Sequence, residues 1–310
     1  MSYRIEPSLP VTAEVRRIAA DEIGKAIGDL AASRTEPEKG LHACRKRFKK
    51  LRALFRLVRP GDEQFCRTEN ARYRDISRSL AGAREDTALI ETVDRLVKAF
   101  PDQTSAGELD AVRSALVARR EAPVRERTGL EETVNAAVEA CEQGRQALAG
   151  LILPDDPEAA ADVLADGAGK TLRRARRALD TAGKRGQPED FHELRKCVKA
   201  HWMHVLLLHR FWPRPVKSRR KALDALGERL GELNDIFVMR RLIQSDGEAL
   251  GSKEQLKLLG KLMKRSEKAL RRQCLREAEL LFGEARKPIV RKIADRYQAG
   301  ASESQPGTNQ

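Results

Sequence analysis

Aromatic residues are scarce in this chain, at 4%. That leaves few platforms on which nucleobases could stack. Cysteines are few and scattered: the five, at positions 44, 66, 141, 197 and 274, are odd in number and form no CxxC. The pattern argues against a disulfide framework and predicts reduced, buried thiols in a cytosolic protein. Apolar runs are short, such as Val205–Leu208, against the roughly 20 residues a membrane span needs. The opening MSYRIEPSLP has no apolar h-region, so no secretory signal is expected. Alternating, β-branched stretches are missing too, which excludes a sheet protein and predicts an all-α one. No Ser/His/Asp or Cys/His grouping suggests nucleophilic catalysis, and no clustered carboxylates suggest a Mg²⁺ site. The expectation is a non-enzyme with no catalytic residue, cofactor or metal.

What the chain has in excess is positive charge. Its 310 residues carry a net charge of +14, with 41% hydrophobic content to build a core. Such a balance favours a polyanionic partner. The charge is patterned most clearly in LHACRKRFKKLRALFRLVR, residues 41–59. Wound as a helix at about 100° per residue, it places His42, Arg45, Lys46, Lys49, Lys50, Arg52 and Arg56 on one side. Cys44, Phe48, Leu51, Leu54, Phe55 and Val58 fall on the other. The polar side bears no carboxylate. Like charges three or four apart cost about 0.2–0.5 kcal/mol per pair, a standing penalty that a bound anion would relieve.

The pattern recurs. His192, Arg195, Lys196 and Lys199 repeat the spacing of His42, Arg45, Lys46 and Lys49, a shift of 150 residues from 42 to 192. At the same shift, Leu80-Ala81-Gly82-Ala83-Arg84-Glu85 aligns with Leu230-Gly231-Glu232-Leu233-Asn234-Asp235. A looser match pairs the segment ending at Lys25 with the one ending at Lys170. Ordered matches of this kind predict a tandem duplication.

Helical periodicity and Pro/Gly punctuation divide the chain. Helices are expected over Val11–Ala32 and the basic stretch up to Pro60-Gly61, then one or two over 62–99 with a joint at 81–84. Gly107–Glu121 and Leu130–Leu151 follow. LILPDDPEAA marks the boundary between halves, with Asp155 or Asp156 as a cap before Pro157. The second half predicts Ala159–Ala182, Glu189–Phe211, Lys217–Leu233, then Ile236–Ser245 as its continuation or as another helix, Lys253–Phe282 and Arg286–Tyr297. The units are therefore 11–153 and 157–298, with a disordered tail at 299–310, each half an antiparallel helical bundle.

Two His-x-x-Arg basic helices, each followed by a Leu-Gly-x-x-type motif, resemble the CHAD family, the conserved histidine α-helical domain. The resemblance covers roughly residues 11–297. It implies two bundles related by pseudo-twofold symmetry around a basic central groove or pore. It also implies binding of inorganic polyphosphate and localisation in the cytoplasm, on polyphosphate granules. Position by position, His42, Arg45, Lys49, Lys50 and Arg52 match the first signature, and His192, Arg195, Lys196 and Lys199 the second. Ala200 and Trp202 stand where the family often has basic residues, and Ala81 and Glu85 also depart, so the halves are expected to contribute unequally.

Charge and donors without base readout suit a linear phosphate polymer: Arg grips phosphate oxygens with a planar fork, Lys adds a point charge, and His donates when protonated. Lys170, Arg173, Arg174 and Arg177, at i, i+3, i+4 and i+7, are a candidate wall of the same site. A nucleic-acid partner is the alternative, disfavoured by the shortage of aromatics; a polyphosphate-modifying enzyme is the third reading. Other signals are weaker. Asp166-Gly-Ala-Gly-Lys-Thr171 has Leu164 where a P-loop needs Gly, and no strand precedes it. His201 and His204 have metal-pair spacing but fall towards the apolar side, and read better as core residues. Glu85 and Asn234-Asp235 read as caps, or as partners orienting nearby cations.

Overall fold

The computed structural model describes residues 3–80, 85–104, 106–121, 129–213, 215–283 and 286–303. Among these the chain forms eleven α-helices and no strand. Four come from the first repeat's opening and close: α1 (Val11–Ala32), α2 (Pro37–Val58), α3 (Glu63–Ser79) and, later, α6 (Leu130–Ala147). Between α3 and α6 lie α4 (Glu85–Ala99) and α5 (Asp110–Glu121). The second repeat supplies α7 (Pro157–Arg185), α8 (Pro188–Leu207), α9 (Val216–Asp246), α10 (Lys253–Phe282) and α11 (Arg286–Ser302).

Local chemistry sets most ends. Asp62 caps α3 by accepting from the Phe65 N–H at 3.1 Å. Asp156 caps α7 by accepting from Ala159 at 2.9 Å, with Pro157 in the first turn, a position where a missing N–H costs nothing. Gly186, with φ 65°, closes α7 in the left-handed conformation that glycine adopts without strain. Pro37 starts α2 four residues before the basic run at Leu41.

Two expectations change. First, α9 runs unbroken through Asn234-Asp235, so this pair caps nothing. Its repeat counterpart, the joint at 81–84, lies outside the described residues. Second, α11 continues past Tyr297 to Ser302; residues 299–302 are helical, and 304–310 lie outside the described residues. α1, α2, α3 and α6 pack in a ring, and α7, α8, α9 and α10 in another, with α11 against α7. One apolar cluster nevertheless runs through both, from Val15, Phe48 and Tyr73 to Leu194, Leu226 and Tyr297. The α4–α5 pair leaves its own repeat and packs on α9 and α10. There Val93, Leu96, Val112 and Leu116 meet Met239, Leu259 and Leu262 in a second cluster.

α2 is the element at the centre. Its apolar side, Cys44, Phe48, Leu51, Leu54, Phe55 and Val58, is fully buried, as its periodicity predicts. Ala53 and Leu57, which interrupt the basic side, are buried as well, at 1% and 0% exposure. They face the second repeat. At Gly167 of α7 a Cβ would sit 1.7 Å from the Leu57 carbonyl oxygen, so α2 and α7 cross in backbone contact that only glycine permits. Beside this crossing, His204 of α8 donates its Nε2–H to the Ala53 carbonyl at 2.9 Å.

Candidate functional site

Because Ala53 and Leu57 tie α2 to α7 and α8, the basic side of α2 narrows towards its C-terminal half. Only Arg52 and Arg56 remain beside the junction, both half-buried. Arg52 donates to the Asn70 side chain at 3.3 Å, and neither arginine forms an ion pair among the described residues. Burial lowers the Arg52 pKa, and so do Arg74, Arg78 and Arg174 around it. Arg56 is pushed down to about 10 by burial, with further repulsion from Arg52 and Arg174. Arg56, at about 10, stays charged at neutral pH. The shifts measure a positive charge that its surroundings disfavour and that an anion would stabilise.

α7 and α8 complete this seam. Arg174 reaches from α7 to Glu193 of α8, Nε to Oε1 at 2.9 Å, and Lys196 takes the other carboxylate oxygen at 2.6 Å. Burial pushes the Glu193 pKa up, but the hydrogen bonds from Lys196 and Arg174 outweigh it and hold the carboxyl below its ordinary value. Glu193 thus occupies, as an internal anion, part of the field that Arg56, Arg174 and Lys196 create.

Along α8 the basic residues form a ladder with α9. His192 meets Asn234, Nδ1 to Oδ1 at 3.0 Å. Because Oδ1 only accepts, Nδ1 carries the proton and Nε2 is left for a second partner. One turn on, Arg195 lies over Gly231, where a Cβ would meet Nη2 at 2.9 Å. A further turn on, Lys199 lies over Gly227, where a Cβ would meet Cε at 2.7 Å. Each step forward on α8 is matched by a step back on α9, the register of an antiparallel pair. The glycines lower the surface of α9 so that two long cationic side chains lie across it. Arg195 Nε is buried with no hydrogen-bond partner. Lys199 is paired with Glu228 at 2.8 Å and faces Asp224 at 3.6 Å. Burial lowers the His192 pKa despite its bond to Asn234, and Lys196 and Arg195 lower it further. Asp235 pairs with Arg95 of α4 at 3.3 Å, which binds the α4–α5 pair to this part of α9.

The remaining expected site residues divide. His42, Arg45, Lys46 and Lys49 continue the α2 stripe away from the junction, with Lys46 and Lys49 exposed. Lys50 does not belong to it. Its ammonium is held by Glu22 of α1 at 2.8 Å and stands 4.9 Å from the Tyr3 ring centre, so it faces α1. Lys170 is exposed and paired with Asp166 at 3.0 Å. Arg173 and Arg177 point to the other side of α7. There, with Arg176 and Arg286, they rim a cavity of about 260 Å³ floored by Leu281 and Phe282. Only Arg174 of the expected α7 wall reaches the seam.

The weaker signals resolve as packing. Asp166–Thr171 is the middle of α7, and its first glycine admits Leu57. His201 and His204 are both buried. His201 accepts from Arg219 at 3.3 Å and stands edge-on to Trp212 and Phe282. Burial holds the His204 pKa at about 4. All five cysteines are buried and free, and burial pushes the Cys44 thiol up to about 12. Among the described residues no three His, Cys, Asp or Glu side chains stand together to hold a metal ion. No described helix is long and apolar enough to cross a membrane.

Fold and site together define an all-α protein whose two similar basic helices meet across a cation-rich junction. The chain belongs to the CHAD family: the family model, described as CHAD domain, matches residues 18–244. That match spans α1 to α9 and ends before α10. No curated protein compared with the chain matches it.

Proposed function

We propose that this protein binds inorganic polyphosphate without chemically altering it, along the seam formed by α2, Arg174 of α7, α8 and the glycine-bearing face of α9. The observation that carries the proposal is the Arg52–Arg56–Arg174 cluster. Three guanidinium groups from two repeats repel one another in a partly buried setting. A run of phosphates offers several oxygens at once to such a cluster, and Arg binds them in a bidentate way. Arg195, with a buried and unpartnered Nε, extends the donors along α8, where the Nε2 of His192 joins them once a bound phosphate has protonated the ring, and Arg45 and Lys46 extend them along α2.

A pseudo-twofold relation between the repeats agrees with one contact. Shifting Ala53 forward by 150 residues gives Met203, and shifting His204 back gives Leu54, so the Ala53–His204 contact maps within one residue onto itself. The axis of such a relation would pass through the α2–α8 crossing, and the ligand would follow it from one basic stripe to the other. The expected setting is the cytoplasm, at polyphosphate granules.

The test is titration calorimetry with polyphosphates of graded length on the parent and on an Arg52→Gln/Arg56→Gln variant. Losing charge-assisted hydrogen bonds worth about 1.5–3 kcal/mol each predicts at least a tenfold, and up to a thousandfold or more, loss of affinity, with the helical circular dichroism unchanged. An unchanged affinity rejects the seam. Duplex DNA displacing polyphosphate at equal phosphate concentration favours the nucleic-acid alternative. Orthophosphate release with Mg²⁺ contradicts the non-enzymatic reading.

A further inference from the structure

A second cationic surface lies on α10, beyond the region that the family model matches. Lys253, Lys257, Lys261, Lys264, Lys268 and Arg272 recur every three or four residues, and all six are exposed. At about 1.5 Å per residue the row is roughly 28 Å long and straight. Among the described residues none of the six forms an ion pair. From Lys257 to Arg272 that face bears no carboxylate; Glu267, on the same helix, points inward to Arg240 and Arg271. α10 packs on α7 and α9, which are also the neighbours of α8. It therefore stands diagonally across its ring from α8, and its open face looks away from the seam.

We infer that this lysine row is a separate docking surface for a second stretch of polyphosphate, so that one molecule holds two chains or two distant parts of one. The inference shares its ligand chemistry with the seam but rests on different residues. Charge complementarity selects a polyanion. The row carries no aromatic for base stacking, and the aromatics that α10 cations contact are covered by them: Phe100 by Arg265 at 5.0 Å, and Phe191 and Phe237 by Arg271 at 5.2 and 5.4 Å. A membrane surface fits less well, because an interfacial helix inserts apolar side chains. The only large apolar side chain well exposed on α10 is Leu280, two turns beyond the row. Lysine, a compact point charge on a mobile stem, suits a flexible phosphate polymer that demands no fixed geometry.

The experiment uses the full chain and two pools of long polyphosphate, one labelled with a donor fluorophore and one with an acceptor. Parent protein is expected to bring the pools together and raise energy transfer. A Lys257→Gln/Lys261→Gln/Lys264→Gln/Lys268→Gln variant, which keeps good helix formers on α10, is expected to lose at least five-sixths of that transfer. Its affinity for a short polyphosphate should change less than about twofold. In the Arg52→Gln/Arg56→Gln background the same four substitutions should further weaken the salt-sensitive binding that remains. Transfer at the parent level in the quadruple variant overturns the inference. So does a quadruple variant that loses binding to duplex DNA or to anionic vesicles while still joining the two polyphosphate pools. If the Arg52/Arg56 variant binds like the parent while the quadruple variant does not, the seam fails and the α10 surface stands.

Discussion

At the scale of single residues, the telling feature is a carboxylate among cations. Glu193 holds Arg174 and Lys196 and so competes with any anion for them. Glu193→Gln is expected to tighten polyphosphate binding about three- to tenfold, since removing one rival hydrogen-bonded charge releases about 1 kcal/mol; calorimetry at fixed ionic strength checks it. His192 works in the opposite sense. Its pKa lies below the ordinary value without ligand, so it is neutral at pH 7, and a bound phosphate would raise it. Binding should then take up a proton and strengthen as pH falls through about 6.5. Titrations in buffers of different ionisation enthalpy read that uptake, and His192→Asn should remove it. His204 predicts a stability effect. Its folded value is about 4, below the ordinary value of about 6.5, so the unfolded chain binds the extra proton between those values. Stability is full above about 6.5 and falls as pH drops towards 4, by about 3 kcal/mol for this group. Urea melts across that range should lose this slope in His204→Leu.

At the scale of helices, the sequence is informative wherever the cause is local. The apolar side of α2, the Asp156–Pro157 start of α7 and the long α10 all follow from periodicity or capping, and the structure has them where periodicity and capping expect them. Contacts between distant elements were less legible. Lys50 sits on the basic side of the helical wheel, yet Glu22, 28 residues earlier, turns it towards α1. Arg173 and Arg177 alternate with Arg174 at helical spacing, but α10 and α11 claim their side of α7. One signal was available: Ala53 and Leu57, apolar residues inside a basic face, mark where a second helix must pack. Gly167 is the other half of that mark. Gly167→Ala should cost about 3 kcal/mol, the upper end for overpacking, because its Cβ would meet backbone rather than a side chain that can move. Gly231→Ala meets only the tip of Arg195. It should leave the melting temperature nearly unchanged while weakening polyphosphate binding several-fold, a contrast that thermal melts and titrations together resolve.

At the scale of the whole molecule, the two halves are packed against each other. The main apolar cluster passes through both, and the α4–α5 pair is lodged on α9 and α10. Unfolding should therefore be a single transition, with fluorescence and circular dichroism coinciding. Residues 11–153 expressed alone should fail to give a cooperative melt, whereas two independent bundles would each give one. The lodging of α4–α5 also bears on how the chain is made. Synthesis proceeds from the N-terminus at about 5–20 residues per second. Val93, Leu96, Val112 and Leu116 emerge long before Leu259 and Leu262, which cover them. For several seconds of every round of translation, the nascent protein carries an uncovered greasy hairpin that no earlier part of the chain shields, and its yield in the cell should depend on what chaperones that interval.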